Sequence, residues 1–474
     1  MLTTKKPVII FWFRRDLRLS DNPGLHHAAQ LGTILPLFIF DPKLTYNDTN
    51  AQAWWLAQSV TSLNESLDGK LHCYQGDAQT IILNLIKKHS VSHVVWNDVY
   101  EPNYRKNDTT LQKILHDNNV SVTTFCAHLL WKPDTVVKQD GTPYKVFTPF
   151  YKNGCLGAQP PRQPLKKPAQ LTCLDNPTNN TDIQKWLNDG YQKWDNKLAP
   201  MWKVGESAAH KQLQKFIGHG LEDYEDGRNF PGQKNISRLS AHLHFGEISP
   251  HQIWYSIEDN QKNILSVADT ACYLKELGWR EFCHNLLYFF PQLPTDNFNN
   301  QFDSFPWKKN DAFLDAWQQG KTGYPIVDAG MRELAQTGFM HNRVRMIVAS
   351  FLIKNLLIDW RIGQAWFEEH LVDADLANNS ANWQWVAGSG ADAAPYFRIF
   401  NPVLQGEKFD PMGAYTLHYV PELAKLPKKY IHQPWTAPAN VLRELSIIFG
   451  KTYPAPIVDL TTSRNAALAA YKNR

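Results

Sequence analysis

The sequence predicts an α/β domain followed by an all-helical one. Three observations carry that reading. Over residues 1–130 short apolar runs alternate with segments of helical periodicity. A proline-rich stretch follows. From about Trp202 onward the periodicity is helical, with no strand-like runs between the segments. The expected division is therefore an α/β domain at 1–130, an interdomain linker at 131–201 and a helical domain at 202–474.

The run VIIFWF at 8–13 is apolar on both faces, as a central strand of a parallel sheet must be. Asp21 or Asn22 then offers an N-cap, with Pro23 in the first helical turn. A second buried strand is expected at 34–40, stopped by Asp41–Pro42. Trp54, Leu56, Ala57, Val60, Leu63 and Leu67 recur at helical spacing, and Asp68–Gly69 turns the chain into a strand at 71–74. Helices near 78–89 and 105–117 and strands at 93–96 and 121–125 complete a Rossmann-like, doubly wound parallel sheet. No GxGxxG or GxxxxGK[ST] follows any strand, so neither a dinucleotide fingerprint nor a P-loop is expected there.

Six prolines between Gly154 and Pro200 deny backbone donors and resist helix, which marks the linker. Beyond it, helices are expected near 205–218, 250–260, 267–290, 311–319, 325–337, 341–358 and 363–371. The segment 341–358 is apolar on most sides and reads as a central buried helix.

At 474 residues with 43% hydrophobic and 20% charged side chains, the chain reads as a soluble protein of two or three domains. Its net charge of +4 is modest, so a nucleic-acid partner would have to meet a local basic surface. Six cysteines show no CxxC pair and no His/Cys cluster at zinc spacing; a reduced cytoplasmic location and no metal are expected. Val8–Phe13 reads as a strand and not a signal peptide, and the longest apolar stretch, Met346–Ile358, is too short to span a bilayer. Seventeen tryptophans are many for mere filler, because each buried indole N–H wants a partner.

The densest chemistry lies in DADLANNSANWQWVAGSGADAAPYFRIFNP, residues 373–402. Two aspartates, three asparagines and two tryptophans fall within its first thirteen residues. Buried, such polar groups need partners; exposed, the indoles have no reason to be there. On a helix Trp383 and Trp385 would face different neighbours. Polar groups mixed with stacking surfaces suit a flat, heteroatom-rich ligand. Ser237-Arg238-Leu239-Ser240 could meet a pyrophosphate or simply cap a helix. Glu276, Trp279 and Arg280 share one helix face and could grip a nucleobase or form an ordinary i, i+4 pair. Arg343 and Arg345 head the 341–358 segment, where one could meet phosphate and the other an acid such as Asp373. With no GxSxG, HExxH or acid–base pair, a bound organic cofactor is expected to do the chemistry.

Taken together and in order, FWFRRDLRLSDNPGL, WREF, GKTGYPIVDAGMREL, TGFMHNRVRMIVASFLIKNLLIDWR, DADLANNSANWQW and DAAPYFRIFNPVLQGEKFD resemble the DNA photolyase/cryptochrome family. The MHNRVRM version is similar to the class I cyclobutane pyrimidine dimer photolyases. The resemblance implies FAD in the helical domain. It places Tyr224, Ile236, Ser237, Arg238, Leu239, Ser240, Tyr273, Asn342, Arg345, Asp373, Ala374, Asp375 and Asn379 at the cofactor, with Ile236 standing where many members have Thr. Arg345 would pair with Asp373, and Asn379 would face flavin N5. Glu276, Trp279, Asn342, Met346 and Trp385 would line the lesion pocket; Arg228, Arg280, Arg343, Arg398 and Gln405 would lie at or near the DNA backbone. Trp383, Trp360 and Trp307 would pass electrons to an oxidised flavin.

The implied activity is light-dependent repair of pyrimidine dimers in DNA by a monomer. Excited, fully reduced FAD lends an electron to a flipped-out dimer, the ring opens, Glu276 steadies the radical anion and the electron returns. The alternative is a cryptochrome-type photoreceptor that binds FAD without repairing DNA. In folate-binding members an Asn–Glu pair and a Cys–Lys pair hold an antenna pterin. Here Asn103 is followed by Tyr104, and Pro294 and Thr295 replace the second pair. Methenyltetrahydrofolate, a deazaflavin, a flavin or an empty antenna site all stay open.

Overall fold

The structure is a computed structural model that describes residues 6–44, 50–175, 192–261, 266–393 and 397–474. Two compact units make up the chain. One comprises 1–221, 237–291 and 372–374; the other comprises 222–236, 292–371 and 375–474.

The first unit holds five parallel strands, β1 Val8–Phe13, β2 Thr33–Phe40, β3 His72–Gln75, β4 His93–Asn97 and β5 Ser121–Phe125, in the order β3-β2-β1-β4-β5. Helices α1 Pro23–Leu31, α2 Ala51–Ser66, α3 Ala78–His89 and α4 Pro102–Asp117 join them. The doubly wound sheet expected from the alternating pattern is present. Apolar β1 residues pair with apolar neighbours on both sides, Phe13 beside Phe38 and Trp12 beside Trp96. On one face Ile10, Trp12, Leu35, Leu37, Val94 and Trp96 form a continuous core with Ile82 and Leu111 of the covering helices. Asn22 caps α1 by accepting from Leu25 N at 3.1 Å.

The loop after β1 is bound from several directions within this unit. Arg14 forms a buried pair with Asp108 at 2.7 Å, and Arg15 reaches His244. Arg18, almost fully buried, donates to the carbonyls of Gly246 and Ala127 at 2.9 and 3.0 Å. Burial pushes the Arg18 guanidinium below its ordinary range, against the pull of Asp21 and Asp16. Gly246 turns with φ 69°, and a Cβ there would sit 2.0 Å from the Arg15 carbonyl oxygen, so the close approach requires glycine. The FWFRRDLRLSDNP motif is therefore a clamp between the sheet and residues 242–246.

The segment expected as a linker falls inside this unit and is packed where it is described; 176–191 lie outside the described residues. Phe147 is buried, Cys173 bridges Ile34, and Trp194 is buried beside Asp195, which accepts from Trp54 Nε1 at 3.0 Å. Three helices of the unit matter below: α5 Glu206–His219, α6 Ser240–Phe245 and α7 Val267–Phe289.

The described part of the second unit contains helices and turns. They include α8 Pro325–Thr337, α9 Asn342–Ser350, α10 Trp360–His370, α11 Leu376–Ala387 and α12 Pro402–Phe409. The single helix expected over 341–358 is α-helical only to Ser350. It continues as a π-helical turn, Phe351–Asn355, and stops at Leu357 with φ 57°. Lys354 is buried in that turn, and its Nζ donates to the Ala387 carbonyl at 2.7 Å. The polar group interrupting the apolar stretch is thus spent outside its own helix.

The GKTGYPIVDAGMREL motif is scaffold. Asp328, wholly buried, accepts from Thr322 N at 2.6 Å, Thr322 Oγ1 at 2.7 Å, Gly323 N at 3.1 Å and Tyr453 OH at 2.7 Å. Burial raises its carboxyl despite those donors. Among the described residues no helix is long and apolar enough to cross a membrane.

Candidate functional site

Helix α11 carries most of the polar motif. Asp375 caps it, accepting from Asn378 N at 2.9 Å and Asn378 Nδ2 at 2.7 Å. Gly388 ends it with φ 92° and returns its N–H to the last turn. Gln384 is fully buried. Its Nε2 donates to the carbonyls of Leu293 and Asp296 at 2.7 and 2.8 Å, and its Oε1 accepts from Phe298 N at 2.8 Å. That clamp fixes the rotation of the helix, and with it the two indoles on either side.

Trp383 and Trp385 do face different surroundings, as the helical spacing requires. Trp383 is buried against Phe367 at 4.9 Å and Trp317 at 6.4 Å. Trp385 is half-buried, donates to Asp392 O at 3.2 Å, and lines a small open pocket with Ser350, Lys354, Arg398 and Phe400. Lys354 Nζ lies 3.1 Å from the Phe397 ring centroid. Asn379 donates one N–H to Gln364 O at 3.1 Å, and its carboxamide oxygen has no partner among the described residues. Ser380 Oγ beside it is buried and likewise unpartnered. Uncommitted hydrogen-bonding groups on a buried helix are what a bound heterocycle requires. Asp375, Asn379, Asn342 and Arg345 in this unit are chemically suited to a flavin and its ribose.

At the head of α9, His341 Nδ1 accepts from Arg343 N at 3.2 Å, while His341 N donates to Glu333, which also binds Tyr415 OH at 2.7 Å. This fixes where the helix starts and so where Asn342, Arg343, Arg345 and Met346 project. Asn342 is exposed and Met346 half-buried. Arg345 donates to Met340 O at 2.7 Å. Arg343 touches Asn229, lies 4.3 Å over Phe409 and has no carboxylate partner among the described residues. Burial, then Arg228 and Arg398, hold its guanidinium below the ordinary range. Three arginines thus act on one another in this region, a cluster of like charge that an anion would relieve. Gln405 on α12 is half-buried.

In the first unit, α7 carries Tyr273, Glu276, Trp279 and Arg280. Glu276 and Trp279 are half-buried, three residues apart on one face. Trp279 stacks on Phe147 at 3.6 Å and 7°, and Phe147 stacks on Tyr151 at 5.6 Å and 10°. Gly278 lets Tyr151 close in, since a Cβ there would meet its ring at 2.4 Å. Phe147 and Tyr151 were missed by sequence reasoning; the aromatic run FTPFY in the proline-rich segment is the signal that could have found them.

Arg280 needs correction. It is buried, and its guanidinium is spent on His128 O at 2.9 Å, His128 Nε2 at 2.8 Å and Glu281 at 3.3 Å. A guanidinium so enclosed does not present itself to a DNA backbone. Glu281 accepts from the backbone N–H groups of Leu130 and Trp131 at 2.9 and 3.3 Å, and burial still pushes its carboxyl up to about 7.

Ser237, Arg238, Leu239 and Ser240 lead into α6, with Arg238 at φ 52°. Ser237 Oγ accepts from Leu239 N at 3.4 Å, Gln212 holds Ser237 O at 2.7 Å, and Arg238 lies 5.4 Å over Trp202. Tyr273, hydrogen-bonded to Ser237, is pushed up to about 12 by burial. Hydroxyls and a guanidinium there fit a diphosphate. Leu239, Asp373 and Ala374 are buried, whereas Ser240 is exposed. In the second unit Tyr224 is buried under Arg228 at 5.5 Å, and Ile236 is half-buried. Trp360 is fully buried, and Trp307 is half-buried against Phe305 at 4.3 Å.

The positions that depart from the folate-binding pairs are occupied as follows. Asn103 is exposed, whereas Tyr104 turns inward to line a small pocket with Trp12, Arg14, Arg15 and Phe38. The Pro294 and Thr295 carbonyls are taken by Gln364 at 3.2 Å and Arg361 at 2.6 Å.

A family model described as DNA photolyase matches residues 9–169, and one described as the FAD binding domain of DNA photolyase matches 273–473. A deoxyribodipyrimidine photo-lyase of Agrobacterium fabrum is 46% identical, covering 99% of this chain and 98% of that one. The crystal structure of a class III photolyase from Agrobacterium tumefaciens has a TM-score of 0.95 and 45% identity, covering 100% and 98% of the two chains. A cryptochrome structure from Synechocystis has a TM-score of 0.89 and 30% identity, covering 99% and 100%. The Agrobacterium tumefaciens structure is of a class III photolyase, whereas the sequence motifs resemble class I; the two share the family. By fold, by motif and by likeness along its length, the chain belongs to the DNA photolyase/cryptochrome family and carries its FAD-binding domain.

Proposed function

We propose that this protein is a light-dependent DNA repair enzyme that splits cyclobutane pyrimidine dimers, working in the cytoplasm as a monomer with FAD. The observation that carries the reading is the face formed by Glu276 and Trp279, backed by the Phe147–Tyr151 stack. An indole held flat by a second ring is a rigid platform for an extruded base. A half-buried carboxyl one turn away can hydrogen-bond the base edge, steadying negative charge on its carbonyl. Met346 and Trp385 supply further apolar surface, and Asn342 a polar contact.

A flavin bound here, fully reduced and excited by blue light, would supply reversible one-electron chemistry with no net redox change. The residues that would hold it are Tyr224, Ile236, Ser237, Arg238, Leu239, Ser240, Tyr273, Asn342, Arg345, Asp373, Ala374, Asp375 and Asn379. Ser237, Arg238 and Ser240 bind the diphosphate; Asn379 offers its free carboxamide oxygen to the ring system. Arg228, Arg343, Arg398 and Gln405 grip the DNA backbone, making association salt-sensitive. Extruding a damaged pair costs less than extruding an intact one, which supplies part of the selectivity. Trp383, Trp360 and Trp307 are the electron path that restores the reduced state.

Blue light on dimer-containing DNA, with the flavin fully reduced, should remove dimers. No loss of dimers would refute repair and leave the photoreceptor reading. Glu276→Ala should lower the repair yield with FAD still bound, and loss of FAD would contradict its role. An absorption spectrum of the purified protein reads the antenna: an extra near-ultraviolet band beside the flavin bands indicates folate.

A further inference from the structure

Trp360 occupies the first turn of α10, fully buried, and its indole N–H donates to Asn297 Oδ1 at 3.0 Å. Asn297, itself 7% exposed, donates through Nδ2 to Asp303 Oδ1 at 2.8 Å. The orientation of the carboxamide follows from chemistry. An indole N–H can only donate and a carboxylate can only accept, so Asn297 fits one way round. A cation also lies against the ring. Arg361 lies 4.6 Å over it, but that guanidinium is bound to Asp359 at 3.0 and 3.2 Å and to Thr295 O at 2.6 Å. Asp359 thus offsets the guanidinium charge over the ring, and Asp303 reaches the indole only through the Asn297 carboxamide.

We infer that Asn297, held by Asp303, is a positioning residue that keeps the indole proton on Trp360 while the ring is oxidised, so that the positive charge moves on instead of being trapped. The inference rests on the electron-path reading above. When an electron leaves Trp360 toward Trp383, the ring becomes a radical cation whose N–H is far more acidic than before. A carboxylate or imidazole at that position would take the proton and leave a neutral radical, which cannot be re-reduced without the proton's return. A carboxamide oxygen is too weak a base for that. It strengthens its hydrogen bond to the charged ring, more so because Asp303 polarises it. The vacancy is then filled by an electron from Trp307 with no proton leaving Trp360. Trp307 is half-buried and can release its own proton to water. The Asn297–Asp303 pair thus carries no electron; it biases where the charge comes to rest.

The test has two readouts. In protein labelled with nitrogen-15 tryptophan, the Trp360 indole resonance is identified by its loss in Trp360→Phe, with no illumination needed. In Asn297→Leu it should move and exchange faster with solvent; an unmoved resonance overturns the hydrogen bond. Transient absorption then follows tryptophan oxidation after a flash on the oxidised-flavin protein. Asn297→Leu should lower the yield of oxidised Trp307 about tenfold, the factor expected for losing one hydrogen bond to a charged group. Asn297→Asp should give a neutral, deprotonated tryptophan radical at Trp360. Wild-type spectra and yields in both variants overturn the inference. If Asn297→Leu does not fold, Asp303→Asn at the exposed end of the pair should still lower the yield about two- to threefold by removing one charge, and an unchanged yield overturns it equally. Normal photoreduction in Trp360→Phe would instead sink the electron path, which separates the two failures.

Discussion

Gly363 is the position where a single added methyl group tests both the packing and the proposed electron path. It lies on α10, and a Cβ there would fall 2.2 Å from Trp383 Cη2, 2.5 Å from Cζ3 and 2.7 Å from Leu352 Cδ2. Ordinary contact begins at 3.4 Å, so the indole of Gly363→Ala must retreat by about 1.2 Å. Phe367 and Trp317 pack edge-on against Trp383, and the ring is only 2% exposed, so it has little room to retreat. Overpacking of this kind costs about 1–3 kcal/mol, against a helix-propensity gain of about 0.8–1.0 kcal/mol for Gly→Ala. The net expectation is a loss of up to about 2 kcal/mol by equilibrium denaturation, together with slower photoreduction of the oxidised flavin. A double-mutant cycle isolates the cause. Phenylalanine lacks the outer ring atoms that clash, so Gly363→Ala should cost less in a Trp383→Phe background. An equal cost in both backgrounds, or unchanged photoreduction in Gly363→Ala, would refute the reasoning.

Trp383→Phe alone should abolish photoreduction while sparing repair by chemically reduced flavin; failed repair in that state would contradict the electron-path role. Glu281 has a folded-state carboxyl near 7 against an ordinary 4.5, so its stabilising contribution is full below 4.5 and is lost as pH rises through 7. Across that window the wild type should lose about 3 kcal/mol relative to Glu281→Gln. Denaturation at pH 5 and pH 8 reads the difference, and a constant gap would show that Glu281 is ionised throughout. Arg343→Ala should weaken binding to DNA and reduce the salt slope of log Kd by about 0.9, the value of one phosphate contact. An unchanged slope would remove Arg343 from the DNA-contact set.

The centre of the sheet was legible because β1, β2 and β4 are buried on both faces and carry no competing helical pattern, so β1 and β4 lie within a residue of where the runs place them. A helix start followed where a cap announced it, as Asn22 does. The segment 341–358 was harder. Its apolar periodicity does not reveal that Lys354 must leave the helix to reach Ala387, and the α-helical hydrogen bonding gives way there. The site divided in a similar way. Glu276 and Trp279 share the face that helical spacing gives them, but the same spacing cannot show that Arg280 turns into a buried network with His128, 152 residues away in sequence. Phe147 escaped notice because proline content marked its surroundings as linker, and proline describes backbone, not what a ring stacks on. Asn297 carries no motif; its role follows from a hydrogen bond 63 residues distant in sequence.

Gln384 has a consequence for how the family's chemistry can vary along this chain. Its carboxamide ties α11 to the loop at 293–298 by three bonds, so the helix can neither slide nor spin. One residue inserted or removed upstream within α11 would swing Trp383, Gln384 and Trp385 together by about 100°. No repacking on one side could rescue the other. Diversification at this helix is therefore confined to single-residue exchange at fixed length, concentrated at exposed positions such as Asn382. The two indoles form one inherited unit, and a change that improves the surroundings of one is constrained by what the other will tolerate.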